Sequence, residues 1–257
     1  MKGVIFAAGL GTRLYPLTKD KPKALVEVAG EPMLGHTLKR LQTSGITDVV
    51  VNVHAFADEV EDYLKDYSTV NPDMNISISD ERDLLLETGG GLKKMQPLLS
   101  DDTFLVHNVD VISTIDLDAL KNADRVFFSE SVTRSTEKDL DIPLHLATLA
   151  VHQTQDDRCF LFNERGLLCG WENVKTGEQK ISRPDEKNLK RYGFTGIHLV
   201  HPELFRLMIE EGVFSITDVY LRLAKNYDIR MLDVSEAIWF DIGSPQQLKK
   251  AEQEWVK

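Results

Sequence analysis

Residues 1–26 read MKGVIFAAGLGTRLYPLTKDKPKALV, and this stretch decides the fold. It opens with KGVIFAA, a continuous apolar run of the kind found in a strand that is covered on both faces. Gly9 and Gly11 then interrupt the run, and the loop that follows has a local charge of +3, since it holds four cations and one acid between residues 13 and 23. The stretch therefore predicts a buried strand followed by a basic, glycine-containing loop.

Hydrophobic periodicity beyond residue 26 predicts an α/β protein. Apolar residues recur at helical spacing over residues 32–44, DVVVNV is a second buried strand, ADEVEDYLKDY is an amphipathic helix, and TFLVHNVDV is another buried strand. Strands and helices that alternate with short connections predict a Rossmann-like, mostly parallel sheet with helices on both faces. We predict one domain, residues 1–257, with a first half at 1–128 and a second half at 129–257.

The second half reads mostly as short strands, which we expect to form the far wall of a cleft. HLATLAVH, CFLF, LLCGWENV, QKISR and FTGIHLV have strand patterns, while PELFRLMIEE and SITDVYLRLAKNY have helical patterns. Ser215 or Thr217 is the expected N-cap of the later helix. A last strand, AIWFDIG, leads into a helix that begins at Pro245.

Composition bounds the function. The 257-residue chain has a formal net charge of -11 and a pI near 5.1, which argues against nucleic-acid and anionic-membrane partners. Its apolar runs are shorter than the roughly 20 residues of a membrane span, and the apolar start is too short for a signal peptide. We expect Cys159 and Cys169 to be free thiols in a reducing, cytoplasmic setting, and the protein to be a monomer or homodimer.

The basic loop suits a polyphosphate, because glycines after a strand let backbone N–H groups approach an anion closely. The P-loop pattern GxxxxGK[ST] is absent, and the dinucleotide pattern GxGxxG fails at Leu14. A tightened loop with solvated lysines is the alternative that the loop alone leaves open. Asp110 and Asp241 each end an apolar segment, where carboxylates suit Mg²⁺ if the two strands are neighbours.

The segment AAGLGTRLYPLTKDKPKALVEVAGEPM, residues 7–33, resembles the signature of the sugar nucleotidyltransferases, also called nucleoside-diphosphate-sugar pyrophosphorylases. The likeness continues through LETGGGL, NVDV, FTGIHLVHPELF and WFDIGSPQQL. Within the family, the chain looks most like the short bacterial enzymes that uridylylate N-acetylmuramate 1-phosphate. One departure is Asn108-Val109-Asp110, where the family usually has Asn-Gly-Asp.

The resemblance implies a glycosyltransferase-A-like fold and transfer of a nucleotidyl group from an NTP to a sugar 1-phosphate, with Mg²⁺ as cofactor. Uridylyl transfer comes first, and guanylyl or thymidylyl transfer, cytidylyl transfer to phosphocholine and a catalytically silent nucleotide-sugar sensor stay open. The implied site residues are Arg13 and Lys23 for catalysis, Ala8, Gly9, Gly11, Thr12, Glu87, Thr88 and Gly89 for the nucleotide, Asp110 and Asp241 for the metal, and Thr195, Gly196 and Arg183 for the sugar phosphate.

Overall fold

The computed structural model describes residues 1–131, 133–135, 141–154 and 156–255. The strands of the described chain are β1 Gly3–Phe6, β2 Glu27–Val28, β3 Glu31–Pro32, β4 Asp48–Val53, β5 Asn75–Asp80, β6 Phe104–Asn108, β7 Val111–Ser113, β8 Thr133–Ser135, β9 Asp141–Pro143, β10 His145–His152, β11 Arg158–Phe162, β12 Leu168–Asn173, β13 Glu178–Ile181, β14 Lys190–Val200, β15 Asp228–Asp233 and β16 Trp239–Asp241. Its α-helices are α1 Met33–Thr43, α2 Ala57–Val70, α3 Glu87–Met95, α4 Leu117–Glu130, α5 Leu204–Leu207, α6 Ile216–Leu223 and α7 Pro245–Trp255.

One mixed sheet joins the two halves of the chain. Strands β6, β1, β4 and β5 are parallel neighbours in that order, which confirms the mostly parallel core predicted for the first half. β14 pairs antiparallel with β6 and extends the sheet through β11, β12 and β13, while β10 and β15 branch from β14. The second-half strands therefore build a wall beside the carboxyl ends of the parallel strands.

Two buried clusters cover the two faces of this sheet. Helices α3 and α6 pack on one face, and α1, α2 and α4 pack on the other. Val4 and Ile5 of β1 are fully buried and point into opposite clusters. This placement explains why the strand reads as a continuous apolar run rather than as an alternating one.

A third cluster lies under the basic loop. It joins Leu14, at the end of the Thr12–Leu14 turn, to Ile112 of β7 and Phe240 of β16, with Leu248 of α7 beneath them. Leu14 is fully buried although its neighbours in the loop are exposed. The third cluster therefore fixes the loop against the hairpin that β7 and β16 form.

Local structure departs from the sequence prediction in three places. TFLVHNVDV is two strands, because the chain turns at Val109-Asp110 between β6 and β7. PELFRLMIEE forms only the four-residue α5, since the helix ends before Met208. The short strand β15 was not anticipated. The N-cap of α6 is Ser215, one of the two residues expected there, and its hydroxyl oxygen accepts a hydrogen bond from the Thr217 N–H (3.2 Å).

The two cysteines are free and buried, as predicted, and lie on the antiparallel neighbours β11 and β12. Burial raises the pKa of both thiols. No helix in the described ranges is long and apolar enough to cross a membrane.

Candidate active site

A cleft of about 630 Å³ opens at the carboxyl edge of the parallel strands. Such an edge is where open parallel sheets collect their ligands. The cleft is lined by Phe6, Ala8, Gly9, Arg13, Lys23, Asn52, Leu85, Glu87, Thr88, Asn108, Val109, Asp110, Arg158 and Ser215. Seven of these residues are among the site residues predicted from the sequence.

The basic loop brings Arg13 to the cleft through one tight turn. Gly11 has φ of 65°, a left-handed conformation that favours glycine, and its carbonyl oxygen accepts hydrogen bonds from Thr18 Oγ1 (2.8 Å) and the Leu14 N–H (2.9 Å). Leu14 then points inward to the third cluster while Arg13 points outward to the cleft. Thr12 is exposed in the same turn.

Asp110 and Asp241 are brought together by the β7–β16 hairpin. Asp241 pairs with Val111 across the two strands, and the Ile242 N–H donates to the Asp110 carbonyl oxygen (2.8 Å). Burial raises the pKa of Asp241, and the negative charge of Asp110 raises it further, while Lys23 and Arg13 act in the opposite direction. The two carboxylates are therefore close enough to repel each other.

Both predicted catalytic cations lie beside these carboxylates. The Lys23 ammonium group forms an ion pair with Asp110 and is largely buried. The Arg13 guanidinium group lies against the backbone of Gly243, where an added Cβ would be 3.0 Å from its central carbon. Arg13, Lys23 and Asp110, which line the cleft, thus come together with Asp241, which lies beside Asp110 but outside the cleft lining.

The two aspartates fit a divalent metal ion. Two close carboxylates provide hard oxygen ligands, and a bound cation would relieve the repulsion that raises the pKa of Asp241. No group of three or more His, Cys, Asp or Glu side chains in the described part of the chain is placed to hold a metal. Because Mg²⁺ prefers six oxygen ligands, its remaining ligands would be water and substrate phosphates.

The buried polar pair Asn52 and Glu81, which was not predicted from the sequence, positions the two segments predicted to bind the nucleotide. Asn52 accepts the N–H groups of Ala7 (2.7 Å) and Ala8 (3.2 Å) at its amide oxygen and donates to Glu81 Oε1 (2.7 Å). The second carboxylate oxygen of Glu81 accepts the Leu86 N–H (3.1 Å). The sequence signal that could have indicated this role is Asn52, a polar residue among the valines of the strand DVVVNV.

The glycine run at residues 89–91 has a different purpose from the one that we predicted. Gly89 does not offer its N–H to a ligand, because that group donates to the Phe214 carbonyl oxygen (2.9 Å) and Gly89 does not line the cleft. A Cβ added to Gly89 would lie 2.8 Å from the Phe214 carbonyl oxygen, and a Cβ added to Gly91 would lie 2.8 Å from Glu81 Oε1. The glycines allow α3 to pack closely, whereas Glu87 and Thr88 do face the cleft.

On the sugar side, the structure places the three predicted residues outside the cleft lining. Thr195 is buried and its hydroxyl donates to the Ala150 carbonyl oxygen (2.8 Å), while Gly196 packs under the side chain of Asn108. The guanidinium group of Arg183 donates to the carbonyl oxygens of Ala224 (2.7 Å) and Tyr227 (2.8 Å) at the end of α6.

Arg183 also forms an ion pair with Asp228 (3.2 Å) and thus stabilises a helix end, where carbonyl groups attract cations. This placement gives no support to the sugar-phosphate role expected for Arg183. The cation that the second half does bring to the cleft is Arg158, which sequence reasoning did not single out.

The model of the nucleotidyl transferase family matches residues 2–133. Since that match spans half of the chain and full-length relatives support it, the chain belongs to the nucleotidyl transferase family.

The relatives extend the match over both halves. An N-acetylmuramate alpha-1-phosphate uridylyltransferase of Caulobacter vibrioides is 34% identical over 97% of this chain and 94% of its own length. The enzyme of the same name from Neisseria meningitidis is 30% identical over 98% of this chain and 97% of its own length. The protein is therefore an enzyme of the sugar-phosphate nucleotidyltransferase class.

Solved structures share the fold at lower identity. A putative glucose-1-phosphate thymidylyltransferase from Bacillus anthracis superposes with a TM-score of 0.76 at 21% identity, and covers 98% of this chain and 94% of that one. A UDP-glucose pyrophosphorylase from Acinetobacter gives a TM-score of 0.75 at 16% identity, covering 99% and 92%. At these identities the likeness shows the fold alone, and it confirms the glycosyltransferase-A-like α/β architecture.

Proposed function

We propose that the protein transfers a uridylyl group from UTP to N-acetylmuramate 1-phosphate, or to a similar hexose 1-phosphate, in an Mg²⁺-dependent reaction that releases pyrophosphate. The observation that supports it most is the convergence of Arg13, Lys23, Asp110 and Asp241. The choice of substrates rests on the two uridylyltransferases that match nearly the full chain. A cytoplasmic place in cell-wall precursor synthesis is part of the same proposal.

The reaction needs positioning and charge neutralisation rather than a covalent intermediate. An oxygen of the sugar phosphate attacks the α-phosphorus in line, a new P–O bond forms, and the bond to the β-phosphate oxygen breaks. The negative charge that develops on the leaving pyrophosphate falls to Arg13, whose guanidinium group can bind two phosphate oxygens at once.

Lys23 contacts the α-phosphate or the incoming sugar phosphate. Its ion pair with Asp110 places this cation at the same end of the cleft as the metal-binding carboxylates. Asp110 and Asp241 would hold Mg²⁺, which when bound neutralises phosphate charge. Ala8, Gly9, Glu87 and Thr88 line the same cleft, and we assign them to the nucleobase and ribose.

Guanylyl transfer to a hexose 1-phosphate is the second candidate. A mannose-1-phosphate guanyltransferase of Candida glabrata is 28% identical over 96% of this chain, although the chain covers only 62% of that protein. Substrate assays decide between the two bases.

The test is a matrix of five NTPs against a panel of sugar 1-phosphates, read by pyrophosphate release with and without Mg²⁺. We expect the highest kcat/KM for UTP with N-acetylmuramate 1-phosphate, and loss of release when Mg²⁺ is chelated. Preference for GTP with a hexose 1-phosphate would favour the second candidate. Absence of release across the whole matrix would contradict the proposed function.

A further inference from the structure

Arg158 is a cation on the second-half wall of the cleft. It is the first residue of β11, its side chain is exposed, and it lines the cleft together with Arg13 and Lys23 of the basic loop. Within the described ranges, no hydrogen bond, ion pair or ring contact engages its guanidinium group. Arg158 is thus available to a ligand. Six other second-half arginines are instead paired with acids: Arg165, Arg183, Arg191, Arg206, Arg222 and Arg230.

The segment that precedes Arg158 packs near the strand that ends in Asp241. Just before β11, the His152 ring lies on Trp239 of β16 with ring centroids 4.4 Å apart, and the Gln153 N–H donates to Ser235 Oγ (2.8 Å). The Cys159 thiol donates to the Asp156 carbonyl oxygen (3.1 Å), which closes the turn around Arg158. The first two of these contacts tie the end of β10 to the region of β16, the strand that ends in Asp241.

Strand pairing gives the same placement from the other side. β11 pairs with β14 at Phe160 and Tyr192, and β14 continues to Gly196, which packs under Asn108 in the cleft lining. Arg158 lies beyond this pairing, on the continuation of β11 that runs beside β14 toward Gly196. Arg158 therefore lines the cleft from the second-half strands.

The negative charges of the two reacting phosphates favour a separate cation beside the acceptor phosphate. Two phosphates must come within bonding distance, and each needs its own positive partner to offset their repulsion. Arg13 and Lys23 both belong to the basic loop, and Lys23 is already paired with Asp110. The residues that the resemblance implies for the sugar phosphate all lie in the second half, and from that half the described cleft lining offers Arg158 as a cation.

We propose that Arg158 binds the phosphate group of the sugar 1-phosphate acceptor and positions it for attack. The inference rests on the proposed function and assigns to Arg158 the role that the sequence suggested for Arg183. An arginine suits the task because its planar guanidinium group can donate two parallel hydrogen bonds to one phosphate.

The test compares the kcat and KM of the Arg158→Ala variant with those of wild type, by steady-state kinetics in which each substrate is varied in turn. We expect the acceptor KM to rise about 10- to 100-fold, the loss typical of hydrogen bonds to charged groups, while the KM for UTP changes less than about threefold. Arg158→Lys should recover part of the loss, since it keeps the charge without the fork. Arg165→Ala is the matched control, because Arg165 is exposed on the same half and pairs with Glu186 outside the cleft.

Two acceptors identify the group that is bound. N-acetylglucosamine 1-phosphate carries only the phosphate, whereas N-acetylmuramate 1-phosphate also carries a carboxylate. An equal loss for both supports the phosphate contact, and a loss confined to the second acceptor overturns it in favour of a carboxylate contact.

Calorimetric titration of the same two acceptors into the protein, loaded with Mg²⁺ and a non-hydrolysable UTP analogue, reads the contact without turnover. Acceptor affinity unchanged in Arg158→Ala would overturn the inference while leaving the proposed function intact. A wild-type protein that binds the acceptors but releases no pyrophosphate would contradict the proposed function alone.

Discussion

At the scale of single residues, Arg13 separates catalysis from stability most cleanly. Its side chain is exposed and touches the backbone of Gly243 beside the carboxylate pair. Because it stabilises charge that develops only as pyrophosphate leaves, Arg13→Ala should lower kcat by about 10²- to 10³-fold. The melting temperature should stay within about 1 °C of wild type, since surface substitutions change stability little.

Lys19→Ala is the matched control for this prediction, because Lys19 is an exposed cation of the same loop that does not line the cleft. Pyrophosphate-release kinetics and thermal denaturation check both variants. Wild-type turnover in Arg13→Ala would remove Arg13 from the catalytic role.

A second residue-scale prediction concerns His198, which is buried between Phe194 and Tyr220 with both ring nitrogens unpartnered in the described structure. Burial, and to a lesser degree the charge of His107, lowers the pKa of His198 to about 3, and burial lowers that of His107 to about 4. Below pH 6.5 the unfolded chain therefore binds protons that the folded chain excludes. Each histidine costs about 1.4 kcal/mol of stability per pH unit as the pH falls from 6.5 toward its folded pKa.

His198→Phe should remove the share of this acid sensitivity that belongs to His198. Between pH 8 and pH 5, the free energy of unfolding should fall by about 2 kcal/mol less in the variant than in wild type. Urea denaturation at the two pH values measures the difference. Parallel pH profiles for the two proteins would show that His198 is protonated in the folded state.

At the scale of elements, the basic loop depends on one buried side chain. Leu14 is fully buried in the third cluster against Ile112 and Phe240, so Leu14→Ala should cost about 2–5 kcal/mol of stability. It should also lower kcat, because the same turn holds Arg13 at the cleft. Leu10→Ala and Leu17→Ala are controls in the same loop, since both side chains are exposed by more than two fifths.

The comparison of stability and turnover across these three leucine variants tests the coupling. If Leu14→Ala lost stability but kept wild-type kcat at a temperature where it is folded, the cluster would support the fold without positioning Arg13. Loss of both properties only in Leu14→Ala is the expected outcome.

The sequence predicted those elements whose pattern is set by local burial. The run GVIF, the helix at Met33–Thr43 and the strand DVVVNV all read correctly, because each buries a periodic or continuous apolar surface. The carboxylate pair was also predictable, since Asp110 and Asp241 follow apolar segments and the structure brings these together in one hairpin.

What the sequence could not supply depends on contacts between distant segments. The reason for Gly89 and Gly90 is the close approach of residues 212–214, more than a hundred positions away. Arg183 and Arg158 look equally available in the sequence, but only the first meets the carbonyl groups at the end of α6. Local pattern fixes elements, whereas the choice between two similar side chains needs the packed structure.

At the scale of the whole molecule, the proposed metal site takes one carboxylate from each half of the chain, and its small number of protein ligands predicts that Mg²⁺ and nucleotide bind cooperatively. Asp110 and Asp241 are two carboxylates, and one of them is paired with Lys23, so the free protein offers Mg²⁺ a weak site. Phosphate oxygens of the nucleotide complete the coordination, and Arg13 and Lys23 hold the same phosphates. Mg²⁺ and UTP should therefore bind cooperatively, and their joint binding should not require the acceptor.

Thermal denaturation with EDTA, Mg²⁺, UTP and Mg²⁺ plus UTP measures this cooperativity. We expect little shift with Mg²⁺ alone, a small shift with UTP alone, and a larger shift with both than the sum of the two, since ligands that bind only the folded state raise its stability by mass action. Asp241→Asn should abolish the excess while keeping the shift caused by UTP alone. A full shift with Mg²⁺ in the absence of nucleotide would mean that the protein alone completes the metal site, and it would end the case for nucleotide phosphates as ligands.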